Sequence, residues 1–456
     1  MATVDPTLSR RTVAGYAIGS LGTGGFATLP GLVLIYFLTD TLGVAAIAAG
    51  ALVTGAKIWD VIIDPVIGAR SDHSLAVTGS RRRYMVLGGI LLPVFFIITF
   101  AVPRGLPPVA SGLWVLVAFV LTATAFSLFQ VPYIALPAEL AKGYDQRTRL
   151  LSWRVVVLTL AILLFGGGGP ALRALGGTDK HLGYLLMAVV AGLVIGIGML
   201  VSSFTAKRGL VEPSALKRAS IRANYVEGFD ALRRSQPFRA LLFTFLLQAL
   251  ATGLMLGGAQ YVATWVLKSE DAVTFLFVAL IAPALVAAPI WGVIARRIGK
   301  ERSFVIASIL FGVAALSMVL LVWFPGGWVY LPVAIAGAAY AGMQSLPMAM
   351  LPDVISHDAR ANGTGRAGSF GGVWTAGETM GTAIGAAVLT ITLAIGGYIA
   401  TTAGHSVGQP PTAIVAIVLG FSVVPAVIMT VSLISLRRYR LRKSDIEDTV
   451  LNDSIE

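Results

Sequence analysis

The chain has 456 residues, of which 56% are hydrophobic and only 12% charged, and its mean hydropathy is +0.83; a soluble domain carries roughly 25% charged residues. A net charge of +12 would suit nucleic acid, but the basic residues fall on alternate loops, so they report membrane orientation and exclude that partner. The absence of cysteine excludes thiol chemistry, disulfides and Cys-ligated metals.

Apolar stretches such as Gly183–Ser203 and Ile414–Ile434 are long enough to cross a hydrocarbon core of roughly 30 Å. They are continuous rather than alternating, which argues for helices and against a barrel. Twelve spans are expected near residues 12–38, 44–69, 84–103, 109–140, 150–174, 182–204, 238–266, 272–295, 303–324, 328–355, 367–398 and 411–436. No removable signal is legible at the N-terminus, so the first helix is the expected targeting element. Arg10, Arg11, Arg70, Arg81 to Arg83, Arg296, Arg297 and Arg437 all fall on loops of one side, whereas the other side holds only Arg104, Arg173, Lys180 and Lys268. The positive-inside rule then places both termini in the cytoplasm of a cell membrane, most simply a bacterial inner membrane.

The longest polar stretch predicts four divisions: a bundle over 1–204, a cytoplasmic linker over 205–237, a second bundle over 238–436 and a tail over 437–456. The halves echo one another. Span 4 ends Val131-Pro132-Tyr133-Ile134-Ala135-Leu136-Pro137-Ala138-Glu139, and span 10 ends Leu346-Pro347-Met348-Ala349-Met350-Leu351-Pro352-Asp353. A weaker echo joins Gly68-Ala69-Arg70-Ser71-Asp72 to Gly292-Val293-Ile294-Ala295-Arg296-Arg297. The fold class is therefore all-α membrane protein, with two six-helix pseudo-repeats of the major facilitator type and a site near the midplane between them.

Charges inside spans are costly, about 2.5–3.5 kcal/mol at the bilayer centre, and so mark ion or substrate routes. Span 2 carries Lys57, Asp60 and Asp64 at i, i+3 and i+7, along one helix face. Lys57 neutralises one acid, and the surplus carboxylate is suited to a proton or a sodium ion. The competing structural reading is a Lys57–Asp60 pair that only locks helices together. Arg154 in span 5 is suited either to a polar or anionic substrate group or to an acid of span 2. Glu378 is the single deep acid of the second half, suited to coupling or, protonated, to interhelical hydrogen bonding. Tyr133, Trp153, Gln248, Gln260, Tyr261, Trp265, Tyr340, Gln344 and Trp374 are candidate cavity-lining residues, with Thr379 beside Glu378. Asp72, Arg81, Arg82, Glu139, Arg149 and Asp353, at the inner helix ends, are candidates for a cytoplasmic gate. Gly166–Gly169 before Pro170 lacks the Lys-Ser/Thr of a phosphate loop and reads as a flexible or closely packed helix end. His73, His181, His357 and His405 have no metal-ligand spacing, so no metal is expected beyond a sodium ion at Asp60 and Asp64.

The run Lys57-Ile58-Trp59-Asp60-Val61-Ile62-Ile63-Asp64-Pro65-Val66-Ile67-Gly68, with Ser71-Asp72 and Arg81-Arg82-Arg83 after it, resembles the glycoside–pentoside–hexuronide:cation symporters, the melibiose-carrier family. Gln130-Val131-Pro132-Tyr133, Arg147-Thr148-Arg149 with Arg154, and the end of span 10 resemble that family and its animal relatives that carry lysophospholipids. The resemblance implies that Asp60 and Asp64 hold the coupling cation with Ser127 and Gln130 assisting, and that Arg154 stands near the substrate. Gln130 replaces a third acid, so a proton rivals sodium. Gly24, beside Thr23, stands where the sugar carriers have a substrate-binding acid, and Thr379 where they have a lysine. The expected function is a non-enzymatic, monomeric, cation-coupled symporter of a small organic solute working by alternating access in contact with membrane lipids. A transporter of lysophospholipid or another amphiphile is the alternative, and a non-transporting sensor or scaffold a more distant one.

Overall fold

A computed structural model describes residues 8–140, 144–206, 232–362, 367–403, 407–439 and 441. Among the described residues, twelve helices are long and apolar enough to span a membrane: Arg10–Asp40, Ala46–Thr78, Arg82–Phe100, Pro108–Pro137, Arg149–Ala174, Lys180–Ser203, Gln236–Val266, Ala272–Ile298, Lys300–Val322, Gly327–Asp358, Phe370–Ile395 and Pro411–Leu436. They are called spans 1 to 12 below. Each expected span has its helix, and span 2 runs nine residues further than its apolar stretch, to a left-handed Gly79 at φ 68° that stops it. The Arg147-Thr148 side chains and Arg366 lie outside the described residues.

The chain divides into two compact units, Met1–Arg218 with Ala400–Val407, and Ala219–Ile399 with Gly408–Glu456. In the first, span 1 packs on span 5, span 2 on span 4, and span 3 on spans 4 and 6. In the second, span 7 packs on span 11, span 8 on span 10, and span 9 on spans 10 and 12. The same pairing order in both units is the structural counterpart of the sequence echoes. The short segment 400–407 groups with the first unit although it falls between spans 11 and 12. Its backbone pairs with the end of span 1, Thr401 N–H donating to Thr39 O at 2.8 Å and Ala403 N–H to Thr41 O at 3.0 Å.

Glycines set how closely these helices approach. A Cβ on Gly24 would lie 2.7 Å from the Ala161 Cβ and 3.0 Å from the Leu158 carbonyl oxygen of span 5. In the second unit a Cβ on Gly381 would lie 2.5 Å from the Leu246 carbonyl oxygen, and one on Gly385 2.4 Å from that of Leu250. Small residues at four-residue spacing permit this backbone-to-backbone packing. The glycine run lies near the end of the helix Tyr144–Ala174, where Gly169 packs closely against Leu29 while Gly168 faces open space.

Span 1 is interrupted at Gly19, between helices Arg10–Ile18 and Ser20–Asp40. A Cβ there would lie 2.5 Å from Ser202 Oγ and 2.6 Å from the Tyr133 ring. The Tyr16 carbonyl at the break accepts from Gly19 N–H (3.0 Å), the Tyr133 hydroxyl (3.0 Å) and Ser202 Oγ (3.4 Å). Neighbouring side chains thus satisfy the backbone group that the break releases.

Candidate functional site

The first unit brings together most of the charged and polar residues that its sequence singles out. On span 2, Lys57 Nζ stands 3.6 Å from Asp60 Oδ2 and 5.7 Å from the centre of the Phe26 ring. Asp60 is buried, and its Oδ1 has no hydrogen-bond partner among the described residues. One turn on, Asp64 lies beside Ser127 of span 4. Lys57 therefore answers one oxygen of Asp60, and the other is left over.

Gln130 lies one turn further along span 4, where the Thr23 hydroxyl donates to its amide oxygen at 2.7 Å. Its acceptor is engaged by span 1. Gly24, next to Thr23, faces the backbone of span 5 with no space for an acid, which gives a steric reason for the missing carboxylate.

Arg154 sits against the break in span 1 and not against the span-2 acids. Its guanidinium is 5.5 Å from the Tyr133 ring centre, while its Nε is buried without a hydrogen-bond partner among the described residues. Tyr133 stacks on Tyr16 at 4.7 Å and shares a 3.0 Å hydrogen bond with Ser20. The alternative in which Arg154 pairs with an acid of span 2 is corrected: no carboxylate is bonded to it among the described residues. Tyr16 and Ser20 escaped the sequence reading because an aromatic and a serine in an uncharged span carry no signal of their own; the glycine-rich run Gly19–Gly25 was the available cue.

Trp153 is 52% exposed and turns to the surface of its unit. At the basic helix ends, Arg81 donates through Nε to Glu139 (2.6 Å) and through Nη1 to Ser71 (2.8 Å), with Asp72 2.5 Å away. Burial pushes the Glu139 carboxyl above its usual range in spite of this arginine. Arg82 leaves the cluster for the Phe204 ring at 4.4 Å, and Arg149 is exposed with no ion partner among the described residues. Asp353 belongs to the second unit, where Lys300 Nζ contacts it at 2.6 Å.

The remaining candidates of the second unit fall into two groups. Gln260 donates to Thr264 at 3.0 Å, and Trp265 to the Tyr398 hydroxyl at 2.9 Å, beside Tyr261 and a π-helical turn over Val262–Val266. This group closes the far end of span 7. Tyr340, which accepts from Gln344 at 2.9 Å, lies within electrostatic reach of Glu378, and Trp374 stacks on Phe245 at 4.3 Å. Thr379 is half-buried next to Glu378, and Gln248 donates to Ser308 at 2.8 Å.

A family model described as MFS/sugar transport protein matches residues 15–443. The chain belongs to this family. It is 24% identical to the inner membrane symporter YicJ of Escherichia coli (strain K12) over 95% of this chain and 92% of that protein. It is 25% identical to the isoprimeverose transporter of Lactiplantibacillus pentosus over 92% and 86% of the two chains. The crystal structure of a D-xylose–proton symporter superposes with a TM-score of 0.66 at 13% identity, covering 92% of this chain and 96% of that one, which shows the major facilitator fold. The chain is a multi-pass membrane protein of the transporter class.

Proposed function

We propose that the chain is a secondary active symporter of a bacterial inner membrane that couples a cation, sodium or proton, to the movement of a small, glycoside-like organic solute by alternating access. It is a transporter and not an enzyme, and the symporter and transporter names of its relatives support this reading. The observation that carries the coupling assignment is the imbalance on span 2, where Lys57 answers one of two neighbouring acids and Asp60 Oδ1 is buried unpaired. A buried acceptor without a donor is an unfinished site, and a proton or a sodium ion would complete it. Asp60 and Asp64 bind the ion, Ser127 orients Asp64, and Arg154 with its free Nε addresses the solute. The basic loops lie in the cytoplasm, the Arg81–Asp72–Glu139 cluster contributes to the inner gate, and the protein works as a monomer surrounded by lipid.

Thermal-shift measurements on the purified protein against glycosides, uronides, pentoses and lysophospholipids, with and without sodium at two pH values, test the solute. Stabilisation by a glycoside that grows with the coupling ion is expected, and stabilisation by lysophospholipids alone would overturn the glycoside assignment. In proteoliposomes, Asp60→Asn and Asp64→Asn each abolish gradient-driven uptake of the stabilising solute while exchange persists. Undiminished gradient-driven uptake in both variants would remove the ion role.

A further inference from the structure

Glu378 is the ionisable group that the span-2 site leaves unused. It lies eight residues into span 11 (Phe370–Ile395), about 12 Å along the axis at 1.5 Å per residue, and so deep in the apolar layer. Three features fix its surroundings. First, the glycine stripe Gly377, Gly381 and Gly385 holds span 11 against span 7, with virtual Cβ contacts of 2.8 Å to Leu242 Cδ1, 2.5 Å to Leu246 O and 2.4 Å to Leu250 O. Glu378 flanks that stripe, so the close packing sets the rotation of the helix and the direction of the carboxyl. Second, Trp374, one turn earlier on the same side, is only 2% exposed, yet its indole N–H has no acceptor among the described residues. Third, the Tyr340 hydroxyl of span 10 lies within electrostatic reach of the carboxyl and accepts from Gln344 at 2.9 Å, which leaves its own hydrogen unspent. Among the described residues no lysine, arginine or histidine acts on Glu378, and no hydrogen bond to it is formed.

These features sort the possible occupants. Among the described residues it has no salt bridge, and a bare carboxylate at this depth costs about 2.5–3.5 kcal/mol. A metal ion needs a shell of oxygen acceptors, whereas the nearby groups include an indole N–H and an amide NH2 already aimed at Tyr340, which present hydrogens. A proton suits both states. As the acid, Glu378 is neutral in its apolar setting; as the carboxylate, it would draw on the unspent hydrogens of its neighbours Trp374 and Tyr340 for charge-assisted hydrogen bonds.

We propose that Glu378 is a proton-carrying site of the second unit, separate from the Asp60–Asp64 pair, with Tyr340 and Trp374 as its positioning residues. The step is a simple exchange: the carboxylate takes one proton from water to become the acid, and returns it when the site next meets water. This inference rests on the transporter reading but not on the assignment of the span-2 acids.

The test is pH-difference infrared spectroscopy of the full-length protein in lipid nanodiscs, with the proton itself as the probe. A carboxylic-acid C=O band that titrates with pH is expected in the wild type, and it disappears in Glu378→Gln but persists in Asp60→Asn and Asp64→Asn. Trp374→Phe and Tyr340→Phe, each removing one donor to the carboxylate, shift the midpoint of that band towards higher pH by about one unit. A band unchanged in Glu378→Gln overturns the proposal. Should Glu378→Gln fail to fold, Glu378→Asp keeps the carboxyl; a band of unaltered frequency and midpoint in that variant counts equally against it. Loss of the band only in the span-2 variants would retain the proposed function and remove this site.

Discussion

Thr23 and Gln130 are joined across 2.7 Å, the threonine hydroxyl donating to the amide oxygen. The bond ties span 1 to span 4 one turn away from the Ser127–Asp64 contact and takes up the acceptor that would otherwise face an ion. Replacing the amide by a carboxylate returns a negative charge to this place. Gln130→Glu is expected to produce or enlarge a sodium-dependent rise in melting temperature of the purified protein, whereas an unchanged sodium response would show that Gln130 lies outside the ion's field.

Ser127 of span 4 is the hydroxyl beside Asp64, placed to donate to it when the site closes on an ion. Hydrogen bonds to charged groups contribute about 1.5–3 kcal/mol, so Ser127→Ala is expected to weaken apparent coupling-ion affinity by roughly tenfold or more, since 1.4 kcal/mol is one decade. Ser127→Thr retains the hydroxyl and is expected to recover most of the loss. Ion titrations of gradient-driven uptake check both variants, and equal affinity in wild type and Ser127→Ala refutes the contact's role.

Gly24 presents its α-carbon to Ala161 and the Leu158 carbonyl. Forcing side-chain atoms into such a contact costs typically 1–3 kcal/mol, and burying a carboxylate there adds to it. Gly24→Asp should therefore lower the melting temperature by several degrees and yield no new sugar affinity. A variant as stable as the wild type that gains glycoside binding would show that span 5 yields more than its packing suggests.

Arg81 holds the buried Glu139 carboxyl, and removing one partner of a buried pair typically costs about 3–5 kcal/mol. Arg81→Gln is expected to be far less stable than Glu139→Gln. The pH dependence has a definite sign. Burial moves the Glu139 carboxyl above its usual range, so the folded state binds this proton more tightly than the unfolded chain does. The stabilisation from that proton is complete below the unfolded value and lost as pH rises through the folded one. Melting temperatures of wild type and Glu139→Gln should differ least in acid, with the wild type falling behind as pH increases; the opposite trend would mean that Arg81 outweighs burial.

The sequence by itself determined the twelve spans, the two halves and the face shared by Lys57, Asp60 and Asp64. Span length and apolar content are local properties, and helical spacing decides which residues of one segment lie together. It also marked Glu378 as a deep acid, because a charge in an apolar run is visible wherever the helix packs. Only the tertiary structure decided which helix stands opposite each face. It set Ser127 beside Asp64, tied Gln130 to Thr23, moved Arg154 away from the acids to Tyr133, left Trp153 exposed and sent Arg82 to Phe204. These partners lie tens of residues apart in the chain. What brings them together is the rotation and closeness of neighbouring helices, set by contacts such as Gly24 on Ala161 and Gly381 on Leu246, and no spacing within a single helix encodes that.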